Sequence, residues 1–165
     1  MTTPPMWEFQ ITPEQGQKIA LVSANWAIVD YELGHLISTL AGVSDTKDGA
    51  DLVHILDLKK KIDLIESRRK DVRLRAEAAE MSREMRWVAE HYRPDRNMLA
   101  HGIIAGEAQI VWSHSKQKIL DLGHLDALVS EAQYAAHVAH RLLMLGLGAP
   151  SEALPPRPPL RPETQ

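Results

Sequence analysis

An arginine, an amide and a histidine lie close together in the stretch Arg96-Asn97-Met98-Leu99-Ala100-His101-Gly102. A guanidinium can hold a phosphodiester through paired hydrogen bonds and stabilise the charge that develops during its cleavage. A histidine exchanges protons near neutral pH, and an amide can support either group by hydrogen bonding. These residue types indicate phosphoryl chemistry, with Arg96, Asn97 and His101 as the candidate catalytic residues.

The geometry of this stretch depends on a short helix. Pro94 does not fit comfortably inside a helix, so the preceding helix should end or kink before it. A new helical turn should then run to His101, with Gly102 well placed to stop it. On such a turn Asn97 and His101 share a face, whereas Arg96 and His101 are about 140° apart. We therefore expect Arg96 and His101 to flank a groove, and a two-fold related second copy can bring both pairs together.

Four longer helical patterns must position this stretch. The first begins at the capping box Thr12-Pro13-Glu14-Gln15 and carries one apolar stripe to near Gly42. Further helices are predicted over about 48–70, with a new start near Asp57, over about 74–92 and over about 125–145. These patterns predict an all-α fold, an antiparallel four-helix bundle. β-prone runs on either side of Gly106 also predict a short β-hairpin between the third and fourth main helices.

The chain divides into three parts on composition. Residues 1–11 form an N-terminal arm and residues 12–148 the helical domain. Residues 149–165 contain Pro155-Pro156-Arg157-Pro158-Pro159, which cannot continue a helix and offers little apolar surface for docking. This composition predicts a disordered, polyproline-like tail.

Composition excludes several classes of site. The chain has 165 residues, enough for one domain, and no cysteine, so disulfides, iron–sulfur clusters and thiolate zinc sites are excluded. His137 and His140 are three apart but have no third ligand at a recognised zinc spacing, so we predict no metal site. We find neither a secretory signal pattern nor an apolar run of about 18 residues, and we expect a cytoplasmic protein without a membrane partner.

A basic region supplies candidate RNA contacts. The net charge of −3 gives no overall attraction to nucleic acid, so an RNA partner needs a local positive patch. Eight of the nineteen basic residues lie between positions 59 and 75. The candidate RNA-binding residues among them are Lys59, Lys60, Lys61, Arg68, Arg69 and Arg73. The alternative is a solvated helix face with its connecting loop.

The stretch around Arg96 resembles the motif of the HEPN family (higher eukaryotes and prokaryotes nucleotide-binding), in which four to six residues separate an arginine from a histidine. The polar Asn97 directly after Arg96, and a closing Ala100-His101-Gly102 followed by a hairpin-like insert and a last helix, are similar to several bacterial HEPN-like groups. The resemblance covers about residues 12–146 in layout and seven residues in motif.

The resemblance implies a homodimer and, for active members, a metal-independent endoribonuclease that uses the RNA 2′-hydroxyl as nucleophile and needs no cofactor. Many members act in toxin–antitoxin, abortive-infection or phage-defence systems, which implies an antitoxin or defence-system partner. Arg96 and His101 would be the catalytic pair and Asn97 a supporting group. Some HEPN toxins carry a tyrosine two residues after the histidine, which a partner nucleotidyltransferase modifies. Ile103 occupies that position here, so this mode of neutralisation is not expected.

Three alternatives stay open on sequence. Arg86 and His91 match the same spacing in an apparent mid-helix position, so the spacing alone is weak. The Arg96 stretch can also be a polar cap of a helix end, in a non-catalytic module that binds RNA, nucleotide or protein, or in an unrelated helical bundle.

Two roles are open for several residues near the motif in sequence or on the first predicted helix. Asp30 and Glu32 can orient Arg96 or His101 across the bundle, or simply form charge pairs or face solvent. The aromatic residues near the motif can line the site or pack beneath it; they are Trp87, Tyr92 and Trp112.

Overall fold

A computed structural model of the chain describes residues 11–43, 47, 49, 51, 56–68, 76–101, 103–105, 110–113 and 118–161. For residues 103–105, 110–113 and 118–119 the description is limited to the backbone. Residues 1–10 of the N-terminal arm lie outside the described part, and so do the basic residues Arg69 and Arg73.

The described part of the chain is mostly helical, as the sequence predicts. The helices are α1 (Pro13–Leu40), α2 (Leu58–Ser67), α3 (Ala76–His91), α4 (Arg93–His101) and α5 (Leu125–Gly146). A 3-10 turn, Leu122–His124, leads into α5. Of the predicted second helix over about 48–70, the described part contains α2.

Capping side chains set the starts of α1 and α2. Thr12 Oγ1 accepts a hydrogen bond from the Gln15 backbone N–H at 3.2 Å, and Gln15 Oε1 accepts from the Thr12 N–H at 2.9 Å. This reciprocal pair confirms the predicted capping box. Asp57 caps α2 by accepting from the Lys60 N–H at 2.9 Å, and this hydrogen bond lowers the pKa of Asp57. The predicted new start near Asp57 is thereby confirmed.

The core is centred on the interface between α1 and α5, with α2 packing on α1 and α3 packing on both α2 and α5. Leu33 and Leu36 of α1 and Val138 of α5 are completely buried there. Gly146 at the end of α5 lets the two helices come close, because a Cβ at this position would lie 2.3 Å from Leu36 Cδ1. Four main helices therefore share one core, and their antiparallel order stays a prediction.

A small antiparallel sheet follows α4. Its strands are β1 (Ile103–Ala105), β2 (Ile110–Ser113) and β3 (Lys118–Asp121), in the order β1-β2-β3. Ile103 pairs with Trp112 in the β1–β2 ladder, which is where the sequence predicts a hairpin. β3 was not predicted, because its sequence Lys118-Ile119-Leu120-Asp121 contains a single β-branched residue and so has little β propensity. The sheet contacts α4 through β2 and β3, so it buttresses the helix that carries the motif.

The proline-rich segment differs from the disordered tail that composition predicts. Residues 150–161, which we call the strap, have no regular secondary structure but dock against α3, α4 and α5. Arg157 pairs with Glu84 of α3, and Arg161 pairs with Glu131 of α5. The docking depends on buried or half-buried acidic partners far away in the chain, which tail composition does not reveal. Residues 162–165 lie outside the described part.

None of the helices in the described ranges has both the length and the apolar content that a membrane crossing requires.

Candidate functional site

The motif lies on α4, a nine-residue helix that begins two residues after the last residue of α3. α3 ends at His91 and α4 starts at Arg93, so the break predicted before Pro94 is confirmed. Tyr92 at the junction is 1% exposed, and its hydroxyl donates to the Pro158 carbonyl at 2.5 Å. Burial raises the pKa of Tyr92 to about 12. The junction is therefore fixed by a buried aromatic ring rather than left free to bend.

Asn97 orients the guanidinium of Arg96. Nη1 of Arg96 donates to Oδ1 of Asn97 at 3.1 Å, and the Arg96 side chain is half-buried. Its Nε–H is shielded from solvent and has no acceptor among the described residues. Within the same part of the chain, no carboxylate forms an ion pair with Arg96. Arg96 therefore has at least one N–H donor without an acceptor among the described residues.

His101 is the last residue of α4 and is exposed. Five residues along a helix correspond to a rise of about 7.5 Å and a rotation of about 140°. Since α4 is helical from Arg93 to His101, Arg96 and His101 face different sides of it, as predicted. Asn97 and His101 share a face. Gly102 lies outside the described residues.

In the competing match, Arg86 and His91, the guanidinium of the arginine is engaged in ion pairs. Arg86 of α3 donates to both carboxylate oxygens of Glu66, at 3.1 and 2.5 Å, and to Asp63 at 2.7 Å. These carboxylates raise the pKa of Arg86 further above its usual range. Because its guanidinium joins α3 to α2, Arg86 has little freedom to hold a phosphate. The geometry therefore separates two Arg-to-His pairs that sequence spacing alone could not.

The strap lies next to the motif. Arg161 pairs with Asp95, the residue before Arg96, and with Glu131 at 2.8 Å. Burial raises the pKa of Glu131, and the Arg161 charge acts against that rise. Sequence reasoning missed this cluster, and the only available signal was the spacing of Arg157 and Arg161 within the strap.

Two of the aromatic residues near the motif, Trp87 and Tyr92, are covered by other side chains or buried. The Trp87 ring stacks on His91 with centroids 4.3 Å apart, and the Arg157 guanidinium lies 3.9 Å from its centroid. Trp87 is therefore covered on the strap side and is not free to stack on a base. Tyr92 is buried, and the side chain of Trp112 lies outside the described part.

The predicted RNA-binding lysines fall into two groups. Lys59 and Lys60 are exposed on α2, and Arg68 is exposed at its end. The prediction for Lys61 is wrong, because its side chain is completely buried and its ammonium donates to the Asp30 carboxylate at 2.8 Å. A buried ammonium cannot reach an RNA backbone.

The predicted orienting role of Asp30 and Glu32 finds no support among the described contacts. Asp30 binds Lys61, and Glu32 contacts His140 Nδ1 at 2.9 Å. Both carboxylates therefore have partners other than the motif. Across the described ranges, no three His, Asp or Glu side chains cluster closely enough to hold a metal ion.

Comparisons with protein-family models, with curated proteins and with solved structures find no match for this chain.

Proposed function

We propose that this chain is a HEPN-like, metal-independent endoribonuclease that acts as a cytoplasmic homodimer, in the role of a toxin or phage-defence effector. The proposal rests on the guanidinium of Arg96, which is held in place by Asn97 and, within the described part of the chain, is not neutralised by a carboxylate. Three other arginines near the motif, Arg86, Arg157 and Arg161, are engaged in ion pairs.

Each residue of the motif has a role in the proposed reaction. The 2′-hydroxyl oxygen attacks the adjacent phosphorus and the 5′-oxygen leaves, which yields a 2′,3′-cyclic phosphate and a 5′-hydroxyl. The 2′-hydroxyl loses a proton and the leaving 5′-oxygen gains one; His101 serves one of these two transfers and water serves the other. Arg96 binds the phosphate and stabilises the charge that develops on its oxygens. Asn97 keeps Arg96 in position through its amide oxygen.

A second copy of the chain completes the proposed site. Arg96 and His101 face different sides of α4, so one chain brings them to one phosphate less readily than two chains related by a two-fold axis. Exposed apolar side chains on α1 support self-association: Leu21, Ile28 and Tyr31 are 42%, 45% and 59% exposed. We therefore expect a dimeric mass at micromolar concentration, and a strictly monomeric mass would remove the composite site.

The proposal is tested by incubating the full chain with single-stranded RNA in the presence of EDTA. We expect cleavage to 2′,3′-cyclic phosphate ends, and no cleavage of the matching DNA strand, which lacks the nucleophile. His101→Ala should lower the rate about 10²- to 10⁴-fold and Arg96→Ala about 10²- to 10³-fold. His91→Ala is the matched control and should leave the rate unchanged. His91 is also an exposed histidine at a helix end, but the arginine before it, Arg86, is ion-paired with Glu66.

Two results would contradict the proposal. One is intact RNA after prolonged incubation with folded, dimeric wild-type protein. The other is cleavage that His101→Ala leaves unchanged, which would indicate a contaminating nuclease. If RNA binds without being cut and Arg96→Ala weakens that binding, the protein is a non-catalytic RNA-binding module of the same layout.

A further inference from the structure

The strap contacts the helices through a small number of specific anchors. After α5, Gly148 adopts a φ of +71° and turns the chain back along the helices. Glu152 then accepts a hydrogen bond through its carbonyl from Arg141 Nη1 at 2.7 Å, and Leu154 packs on the core. Further along, Arg157 and Pro158 engage α3 and the α3–α4 junction.

The surface beneath the strap has two acidic subsites. The first is Glu84, which receives both Nε and Nη2 of Arg157 in a bidentate pair. The second comprises Glu131 and Asp95, which together hold Arg161. The two arginines are four residues apart, so an extended chain spans the subsites in about 12 Å.

Aromatic groups of the helices supply the contacts between these subsites. Trp87 provides a ring for the guanidinium of Arg157, and the Tyr92 hydroxyl donates to the carbonyl of Pro158. Tyr134 donates to Glu84 at 2.8 Å and thereby fixes the first carboxylate. Grooves lined by aromatic side chains bind extended, proline-rich segments, and carboxylates bind arginine through paired hydrogen bonds.

The strap occupies this surface as a ligand does. None of residues 150–161 is fully buried, and Leu160 is 54% exposed. The receiving side is built more deeply, since the side chain of Glu131 is 3% exposed and that of Glu84 is 14% exposed. A nearly buried carboxylate is stable there because an arginine neutralises it.

From these contacts we propose that the face formed by Glu84, Trp87, Tyr92, Glu131 and Asp95, which we call the acidic face, binds an arginine- and proline-rich segment of a partner protein. The partner segment carries two arginines at positions i and i+4 in an extended stretch with proline at i+1. The strap is the intramolecular ligand with which it competes. Since the acidic face does not include Arg96 or His101, the proposal is independent of ribonuclease activity.

The test uses the full chain with the substitutions Arg157→Ala and Arg161→Ala, which remove the two arginine anchors of the strap and leave the residues of the acidic face in place. The probe is a fluorescein-labelled peptide with the sequence of residues 150–161, and binding is followed by anisotropy. We expect the peptide to bind this variant at least tenfold more tightly than it binds the wild type. The reason is that a tethered strap competes at an effective concentration on the order of 1 mM.

Two controls establish where and how the peptide binds. A peptide with alanine in place of both arginines should bind neither protein. Adding Glu84→Gln to the variant chain should weaken binding of the original peptide, because it removes one acidic subsite.

Equal affinity for the variant and the wild type would overturn the proposal, and so would binding that does not depend on the arginines of the peptide. If the double alanine variant does not fold, Arg157→Lys with Arg161→Lys replaces it. Lysine keeps the charge but loses the bidentate pairing and the stacking on Trp87. The peptide should again bind this variant more tightly than the wild type, and equal affinity would again overturn the proposal.

Discussion

Replacing Arg161 by alanine tests whether the strap is part of the stable fold. In the structure Arg161 neutralises Glu131, whose side chain is 3% exposed, and also binds Asp95. Removing one partner of a buried ion pair costs about 3–5 kcal/mol, because a charge is left buried without compensation. Asp95 is 30% exposed and water can replace Arg161 there, so we expect Arg161→Ala to lower the free energy of unfolding by about 2–3 kcal/mol.

The loss should depend on pH in a defined direction. Burial raises the pKa of Glu131, and Arg161 opposes that rise, so removing Arg161 should raise the pKa further. A carboxyl group whose pKa is higher in the folded than in the unfolded state binds more protons in the folded state. The free energy of unfolding therefore rises as the pH falls from the folded-state pKa to the unfolded-state pKa. The difference between variant and wild type should therefore be largest near pH 8 and smaller near pH 5.

Thermal unfolding monitored by circular dichroism measures this difference. For a chain of this length, about 2–3 kcal/mol corresponds to a decrease in Tm of roughly 5–10 °C. Glu131→Gln in the Arg161→Ala background should recover much of the loss and remove most of its pH dependence, since the buried charge is gone. A loss of less than about 0.5 kcal/mol, or one that is equal at pH 5 and pH 8, would refute this account of the strap.

Three further substitutions test the fold. Gly146→Ala should lower the free energy of unfolding by about 1–3 kcal/mol in urea, because the new Cβ would overlap buried Leu36. Gly16→Ala is the control. It should be neutral or stabilising by up to about 1 kcal/mol, since its Cβ would make ordinary van der Waals contact. Asp57→Ala should lower the free energy of unfolding by about 1 kcal/mol through loss of the α2 cap, with Asp57→Asn close to wild type. Lys61→Met should leave stability nearly unchanged, because methionine fills a similar volume and the remaining partner, Asp30, is 49% exposed, so that water can replace the ammonium. RNA affinity should be unaltered, and weaker RNA binding with a shallower salt dependence would contradict the burial of Lys61.

Local signals made the helix boundaries near the site predictable. The Thr12 capping box, the Asp57 cap and the break before Pro94 all depend on groups within four residues of each other. The helical placement of Arg96, Asn97 and His101 follows from the same local rules, so the relative directions of these side chains could be stated from sequence. Even so, sequence alone could not show that Arg96 is uncommitted while Arg86 is not.

Sequence by itself determined the helical segments, their caps and the position of the motif at the end of a short helix. Only the tertiary structure decided which charged residues are buried, which are paired and whether the proline-rich segment docks. The physical reason is separation along the chain: Arg161 meets Glu131 across 30 residues, and Arg157 meets Glu84 across 73. Such pairs form only once the helices have packed, and each partner by itself has the composition of an ordinary solvated surface.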